Sequence, residues 1–128
     1  MFFLKLKDLR IGLAITGSFC NFSHIENLIN NLKKEGANVI PIVSYSTKNF
    51  DTRFYKKEEF LEMLRKTTGN NLIDSIVKAE PVGPKNMVDI ILICPCTGNT
   101  LAKIANAITD TPVTMAVKSY LICWQDFL

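Results

Sequence analysis

The chain has 128 residues, 48% of them hydrophobic and 21% charged, enough to bury a core of ordinary size and to form one domain over residues 1–128. Its formal charge is +3, from 15 Lys and Arg against 12 Asp and Glu, and the basic residues are scattered rather than gathered into a stripe, which argues against a nucleic-acid partner. Lys5, Lys7, Asp8 and Arg10 interrupt the apolar amino terminus, and the run Ile11 to Thr16 is too short to span a bilayer, so neither a signal peptide nor a membrane helix is expected.

The elements follow in order. Residues Arg10 to Thr16, RIGLAIT, read as a buried strand closed by the turn Gly17-Ser18. Ser23 with Glu26 has the capping-box pattern, and Ile25, Leu28, Ile29 and Leu32 recur at helical spacing until Gly36 stops the helix. Asn38 to Val43, NVIPIV, reads as a second strand, parallel to the first because a helix intervenes, and Pro41 points to an edge position or a locally unpaired strand. Ser44 to Lys56 is expected as a long polar and aromatic loop after that strand.

A helix from about Lys57 to Thr67 presents Phe60, Leu61 and Leu64, with Gly69 as its stop. A further helical pattern carries Leu72, Ile73, Ile76 and Val77 and ends before Pro81, and Glu80 to Lys85 forms a rigid connector. Val88 to Ile93 reads as a third strand. The helix beyond it puts Leu101, Ile104, Ala105 and Ile108 on one stripe. Thr111-Pro112 then turns into Val113 to Val117, an expected fourth strand. This alternation predicts right-handed βαβ units and an α/β fold with a doubly wound parallel sheet. The last ten residues, SYLICWQDFL, are too short for another strand-helix unit, so the fold is expected to stop short of the usual five or six strands.

Cys20, Cys94, Cys96 and Cys123 lack the spacing of a disulfide framework and fit a reducing cytosol. Cys94 and Cys96 would need two more ligands to hold zinc, which the single His24 and the distant cysteines do not supply, so no metal is expected.

Three turns fall at one edge of the inferred sheet: Gly17-Ser18, Ser44 to Thr47, and Thr97, Gly98, Asn99 and Thr100. Ligands of open α/β sheets bind at the carboxyl ends of the strands. Hydroxyls and free N–H groups near helix N-termini favour an anion, which points to a phosphorylated cofactor. The dinucleotide fingerprint and the Gly-rich phosphate loop with its Lys are both absent, which argues against NAD and ATP on this chain. Each turn also has a plain structural reading: Gly17-Ser18 as a strand-to-helix turn, Ser44 as a strand end, Thr97 or Asn99 as an N-cap. Their joint occurrence after three strands carries the functional one. His24 is read as a solvated first-turn residue, Cys20 as a packed thiol, and Asp110 as a turn or cap. Asp51 and Arg53, beside Phe54 and Tyr55, suit a local ion pair and an anionic substrate equally well.

The segment PCTGNTLAKIANAITD, Pro95 to Asp110, resembles the flavoprotein family that includes flavin-dependent cysteine decarboxylases and flavin prenyltransferases. Further segments, ITGSFC at Ile15, VIPIVSYS at Val39, DTRF at Asp51, TGNNLIDSIVKAEPVGP at Thr68 and NAITDTPVTMAVK at Asn106, resemble one branch whose members serve as a subunit of an oxidoreductase. The resemblance implies a flavodoxin-like or Rossmann-like fold, with FMN phosphate at Gly17, Ser18 and Ser44. Thr97, Gly98, Asn99 and Thr100 would then line the ribityl chain and the flavin ring. It also implies a homo-oligomer with flavin near a subunit interface, a small-molecule substrate, and a companion subunit that carries the NAD(P) site. The alternatives are an FMN-dependent decarboxylase or prenyltransferase working alone, and a non-catalytic partner subunit. No catalytic residue is assigned, since the histidine some family decarboxylases use has no match. The similarity ends after Lys118, so a truncated or frameshifted product lacking the family's next strand and terminal loop is the expectation.

Overall fold

The structure, a computed structural model, describes residues 5–17, 22–49 and 56–125. Its centre is β1 (Arg10–Ile15), whose last five residues are all buried. A strand that is apolar on every residue must be covered on both faces. Here β1 lies between β2 (Asn38–Val43) and β3 (Ile90–Ile93), parallel to both, in the order β2-β1-β3. Leu13 and Ile15 point to one face and Ala14 to the other, as the two-residue period of a strand requires.

The first face is covered by α1 (Phe22–Lys34) and α3 (Lys57–Thr68), which bring Ile25, Ile29, Phe60 and Leu64 against Leu13, Ile15, Val39 and Val43. Fully burying a Leu or Phe of this kind contributes roughly 1.5–3 kcal/mol. Phe22 already has helical backbone, so Ser23 lies inside the first turn of α1 and is not its N-cap. The stop is as expected. Gly36 has φ 93°, its N–H meets Lys33 O at 3.0 Å, and Ala37 N–H meets Leu32 O at 3.1 Å, the paired bonds that close a helix through a left-handed residue. Gly69, at φ 71°, closes α3 in the same left-handed conformation.

Pro41 sits in the edge strand β2. The outer edge of that strand makes a single bridge: Ile73 N–H donates to Pro41 O at 2.9 Å and Ile73 O accepts from Val43 N–H at 3.0 Å. One residue's N–H and C=O point to the same side of a strand, so the donor that Pro41 lacks falls on this sparsely paired edge. Leu72 and Ile73 are therefore extended, not helical, because the β2 edge offers their backbone partners that a helix would have withdrawn. Only α4 (Ile76–Ala79) is helical there, capped by Ser75 Oγ accepting from Lys78 N–H at 3.2 Å. The chain then passes through Pro81 in a 3₁₀ turn, Glu80–Val82, instead of stopping before it; proline at the first positions of a helical turn removes no needed donor. Part of the expected loop after β2 is also helical: α2 spans Tyr45–Asn49.

The largest correction concerns the expected fourth strand. Val113 to Val117 lie in α6 (Pro112–Gln125), a helix of 14 residues. Thr111 Oγ1 accepts from Thr114 N–H at 3.1 Å, and Thr114 Oγ1 accepts from Thr111 N–H at 3.1 Å. This reciprocal cap, followed by proline at the first helical position, fixes a helix start that outweighs the β-branched run. The buried face of α6, with Val113 and Ala116, joins Ala14, Ile42, Ile73, Ala79, Val82 and Val88 to form the second core. Among the described residues the sheet thus has three strands with helices on both faces, a doubly wound α/β arrangement. Among the described residues no helix is long and apolar enough to cross a membrane.

Candidate functional site

In a doubly wound sheet of order 2-1-3 the chain reverses direction of travel between β1 and β3, and the crevice at the carboxyl ends of those strands is the ligand position. The last residue of β1 and the one that follows it organise that end. Ile15 O accepts from Ser44 N–H at 3.1 Å and from Thr47 Oγ1 at 3.3 Å, which fastens the turn after β2. Thr16, 1% exposed, fastens the turn after β3. Its hydroxyl donates to Pro95 O at 2.7 Å and accepts from Thr97 N–H at 2.9 Å, and its own N–H reaches Pro95 O at 3.3 Å. The Cys94–Pro95 peptide bond is cis.

On the β2 side lies a short chain of hydroxyls: Ser44 Oγ is 2.9 Å from Thr47 Oγ1 and 3.1 Å from Ser46 Oγ. Thr47 gives its proton to Ile15 O, so Ser44 donates to Thr47 and Ser46 donates to Ser44. Ser44 is 6% exposed and Thr47 2%. Ser46 is half-buried and forms the outer end, the hydroxyl that can turn its O–H outward without disturbing the anchor on Ile15. Lys48, on the same short helix, is drawn away to Asp74 at 3.3 Å. Burial pushes the Asp74 carboxyl up, but hydrogen bonds from Lys78 and Lys48 outweigh it and hold the group below the usual carboxylate range.

On the β3 side, α5 (Gly98–Ala105) starts at Thr97, which has extended backbone. Thr97 Oγ1 accepts from Thr100 N–H at 3.2 Å and donates to Thr100 Oγ1 at 2.9 Å, and Thr97 O takes Leu101 N–H at 3.0 Å. The Thr97 N–H is committed to Thr16. The N–H groups of Gly98 and Asn99 are thus the first two of the helix, which no carbonyl within it can satisfy. Both residues are exposed, and a Cβ on Gly98 would meet nothing within 4 Å. Two free amide donors at the positive end of a helix, with the Ser46 hydroxyl at the same end of the sheet, make a donor set suited to phosphate or carbonyl oxygens. Among the described residues no buried side-chain N or O lacks a partner, so a ligand here would meet these exposed groups.

Of the sequence-derived turns, Ser44 to Thr47 and Thr97 to Thr100 are fastened to Ile15 and Thr16 at one end of the sheet, and Gly17 follows Thr16 directly. Ser18, Cys20, Asp51, Arg53, Phe54 and Tyr55 lie outside the described residues. The sequence reading missed Thr16, taking it as the strand's last residue; the available signal was a hydroxyl in a buried position, which must find partners. Thr97 is the N-cap of α5 as well as a site-facing residue. Asp110 is held by Lys103 at 3.0 Å, and His24 is exposed. Cys94, Cys96 and Cys123 are free thiols. An open groove of about 660 Å³ lies elsewhere, outside β2, lined by Ile40, Asn70, Asp74, Lys78 and Met87 among others; Lys78 bonds Asp74 there at 2.8 Å and Asn70 Nδ2 bonds Val39 O at 2.7 Å.

The family model named Flavoprotein matches residues 4–124. The B subunit of dipicolinate synthase from Bacillus subtilis (strain 168) is 46% identical over 115 residues, which cover 90% of this chain and 58% of that protein. The coenzyme A biosynthesis bifunctional protein CoaBC of Thermococcus kodakarensis is 34% identical over 118 residues, 88% of this chain and 27% of that protein. Among solved structures, the B subunit of dipicolinate synthase from Bacillus halodurans superposes with a TM-score of 0.76 at 37% identity, covering 91% of this chain and 60% of the other. The FMN-dependent cysteine decarboxylase SpaF superposes with a TM-score of 0.71 at 20% identity, covering 89% of this chain and 64% of the other, a likeness of fold. The chain thus spans less than two thirds of the length of the relatives it matches, and by the extent of the family match it belongs to the Flavoprotein family.

Proposed function

We propose that this chain is a flavin-binding subunit of an oxidoreductase of the dipicolinate synthase kind, folded as one domain over residues 1–128. It works with the A subunit of dipicolinate synthase, which carries the NAD(P) site, in dehydrogenating a dihydrodipicolinate-type precursor to dipicolinate in the cytoplasm of the sporulating cell. The carrying observation is that the turns after β2 and β3 are both fastened to Ile15 and Thr16 at the crevice between β1 and β3. The 46% identity to the B subunit of dipicolinate synthase supports the choice within the family.

The donor set fits FMN. Gly17 and Ser18, with Ser46 as the outer hydroxyl of the chain that Ser44 anchors, would take the phosphate; Gly98, Asn99 and Thr100, positioned by Thr97, would take the ribityl chain and ring oxygens. When bound, the flavin supplies a two-electron acceptor. The chain's own part is to place and hold: the Gly98 and Asn99 N–H groups would donate to ribityl or ring oxygen at the positive end of α5, and buried Thr100 holds the first turn in shape. A second copy of the chain completes the pocket from the exposed side of α5.

The test is dipicolinate formation by the purified chain with and without its companion subunit, for the wild type and for Asn99→Ala. The reading predicts activity that requires both proteins and falls by about two- to tenfold in the variant, which keeps the Asn99 backbone N–H and loses the side-chain amide, the scale of a neutral hydrogen bond. Full activity of Asn99→Ala in a complex that takes up no FMN would assign the chain a non-catalytic role instead. Turnover of a carboxylate substrate by the chain alone would point to a decarboxylase.

A further inference from the structure

Thr16 is a buried hydroxyl residue directly after a strand whose buried side chains are all aliphatic, and it makes three hydrogen bonds, all to one turn. Its hydroxyl proton goes to Pro95 O at 2.7 Å and its lone pair takes Thr97 N–H at 2.9 Å, while its backbone N–H makes a longer bond to the same Pro95 O at 3.3 Å. The two groups bound by the side chain lie on either side of Cys96, so the hydroxyl spans the turn and fixes the direction in which the backbone leaves β3. Thr97 begins α5. The first two amides of α5 have no partner within the helix, and the bond from Thr97 N–H to Thr16 ties the start of that helix, and so the direction of those amides, to the end of β1.

We propose that Thr16 is the positioning residue of the ligand site: by binding the Thr97 N–H inward, it aims the Gly98 and Asn99 N–H groups at the crevice between β1 and β3. This rests on the flavin reading for the identity of the ligand but not for the geometry of the turn. Thr16 sits 1% exposed behind the turn and touches no ligand itself. Its adjoining residue anchors the opposite side of the crevice, since Ile15 O holds Ser44 N–H and Thr47 Oγ1. A single dipeptide at the end of the central strand thus sets the separation of the two ligand-holding turns. A rotation of the Thr97 backbone would shift α5 relative to Ser44 and Ser46 and alter the fit to a ligand that bridges both.

The experiment uses the 128-residue chain with Thr16→Val, which keeps the shape and removes both side-chain bonds, Thr16→Ser, which keeps the hydroxyl, and Ile29→Val, a core change that removes no hydrogen bond. Two quantities are measured well below the melting temperature: the amide exchange rate at Thr97, and FMN affinity by quenching of flavin fluorescence. Thr16→Val is expected to raise Thr97 exchange and weaken FMN binding by about tenfold or more each, Thr16→Ser to stay within about twofold of wild type, and Ile29→Val to lower the melting temperature with neither other quantity changed. Unchanged Thr97 exchange in Thr16→Val overturns the proposal. So does wild-type FMN affinity in that variant. If the wild type binds no FMN, the flavin reading fails and the exchange rate at Thr97 alone decides the role of Thr16.

Discussion

The two flanks of β1 are built from equally apolar sequence and end up in different surroundings. On the β2 flank, Val39, Ile42 and Val43 are fully buried between α1 and α3 on one side and α6 on the other, and Ile73 bridges the outer edge. On the β3 flank, Ile90 is 48% exposed and Leu92 37%, and no strand pairs with the outer edge of β3 among the described residues. Leu101 is 62% exposed and Ile108 45%, so the apolar stripe expected on the helix after β3 faces solvent in this structure, and Ile108 lies beyond the end of α5 at Ala105. Burial belongs to the neighbours as much as to the residue: IILI and NVIPIV have the same character, but only the second has elements packed on both faces.

The largest test of this asymmetry is a pair of truncations. Leu64→Ala, on the β2 flank, removes a side chain that is 0% exposed and is expected to cost about 2–5 kcal/mol in denaturant unfolding. Leu101→Ala, on the β3 flank, is expected to stay within about 0.5 kcal/mol at concentrations where the chain is monomeric. Equal costs would show that α5 is covered in solution.

A smaller effect is expected from the cap that turns the chain after α5. Thr111→Ala removes the acceptor for Thr114 N–H and should cost about 1 kcal/mol, read as a lower denaturation midpoint with an unchanged slope. No loss would mean that the packing of Val113 and Ala116, not the cap, decides between helix and strand there.

The smallest expected effect is confined to acid. Arg10, at the amino end of β1, holds Asp89 before β3 through Nη2 to Oδ1 at 2.8 Å and backbone N–H to Oδ2 at 2.8 Å. The side-chain bond and then the backbone bond from Arg10 lower the Asp89 carboxyl from 3.8 to about 2. A carboxyl whose folded pKa lies below its unfolded one adds stability that is fully present above about pH 4 and is lost as pH falls toward 2. The melting temperature of Asp89→Asn should therefore lie below that of the wild type at pH 6, with the gap closing between pH 4 and pH 2. A constant gap across that range would contradict the assignment.

The helices bounded by glycine were legible in the sequence because a left-handed residue at Gly36 or Gly69 is a local requirement. The strands β1 and β2 and the position of the candidate site followed from apolar runs that end in small polar residues. What the sequence reading lost turned on competition. Val113 to Val117 has strand character, and only the reciprocal Thr111 and Thr114 bonds with Pro112 reverse it. Leu72 and Ile73 have helical spacing, yet the free edge of β2 claims their backbone groups. Thr16 was hidden for a related reason: its partners, Pro95 and Thr97, lie about eighty residues away in sequence, and no local pattern announces them.

The central claim is that the end of β1 gathers three turns into one flavin site. Titrating FMN into the isotopically labelled chain and following backbone amide shifts tests it most directly. The account predicts that the shifts concentrate at Gly17, Ser44 to Thr47 and Gly98 to Thr100 and are smaller in Thr16→Val. Shifts gathered instead at Asn70, Asp74 and Lys78, along the groove outside β2, or no shifts at saturating FMN, would contradict it.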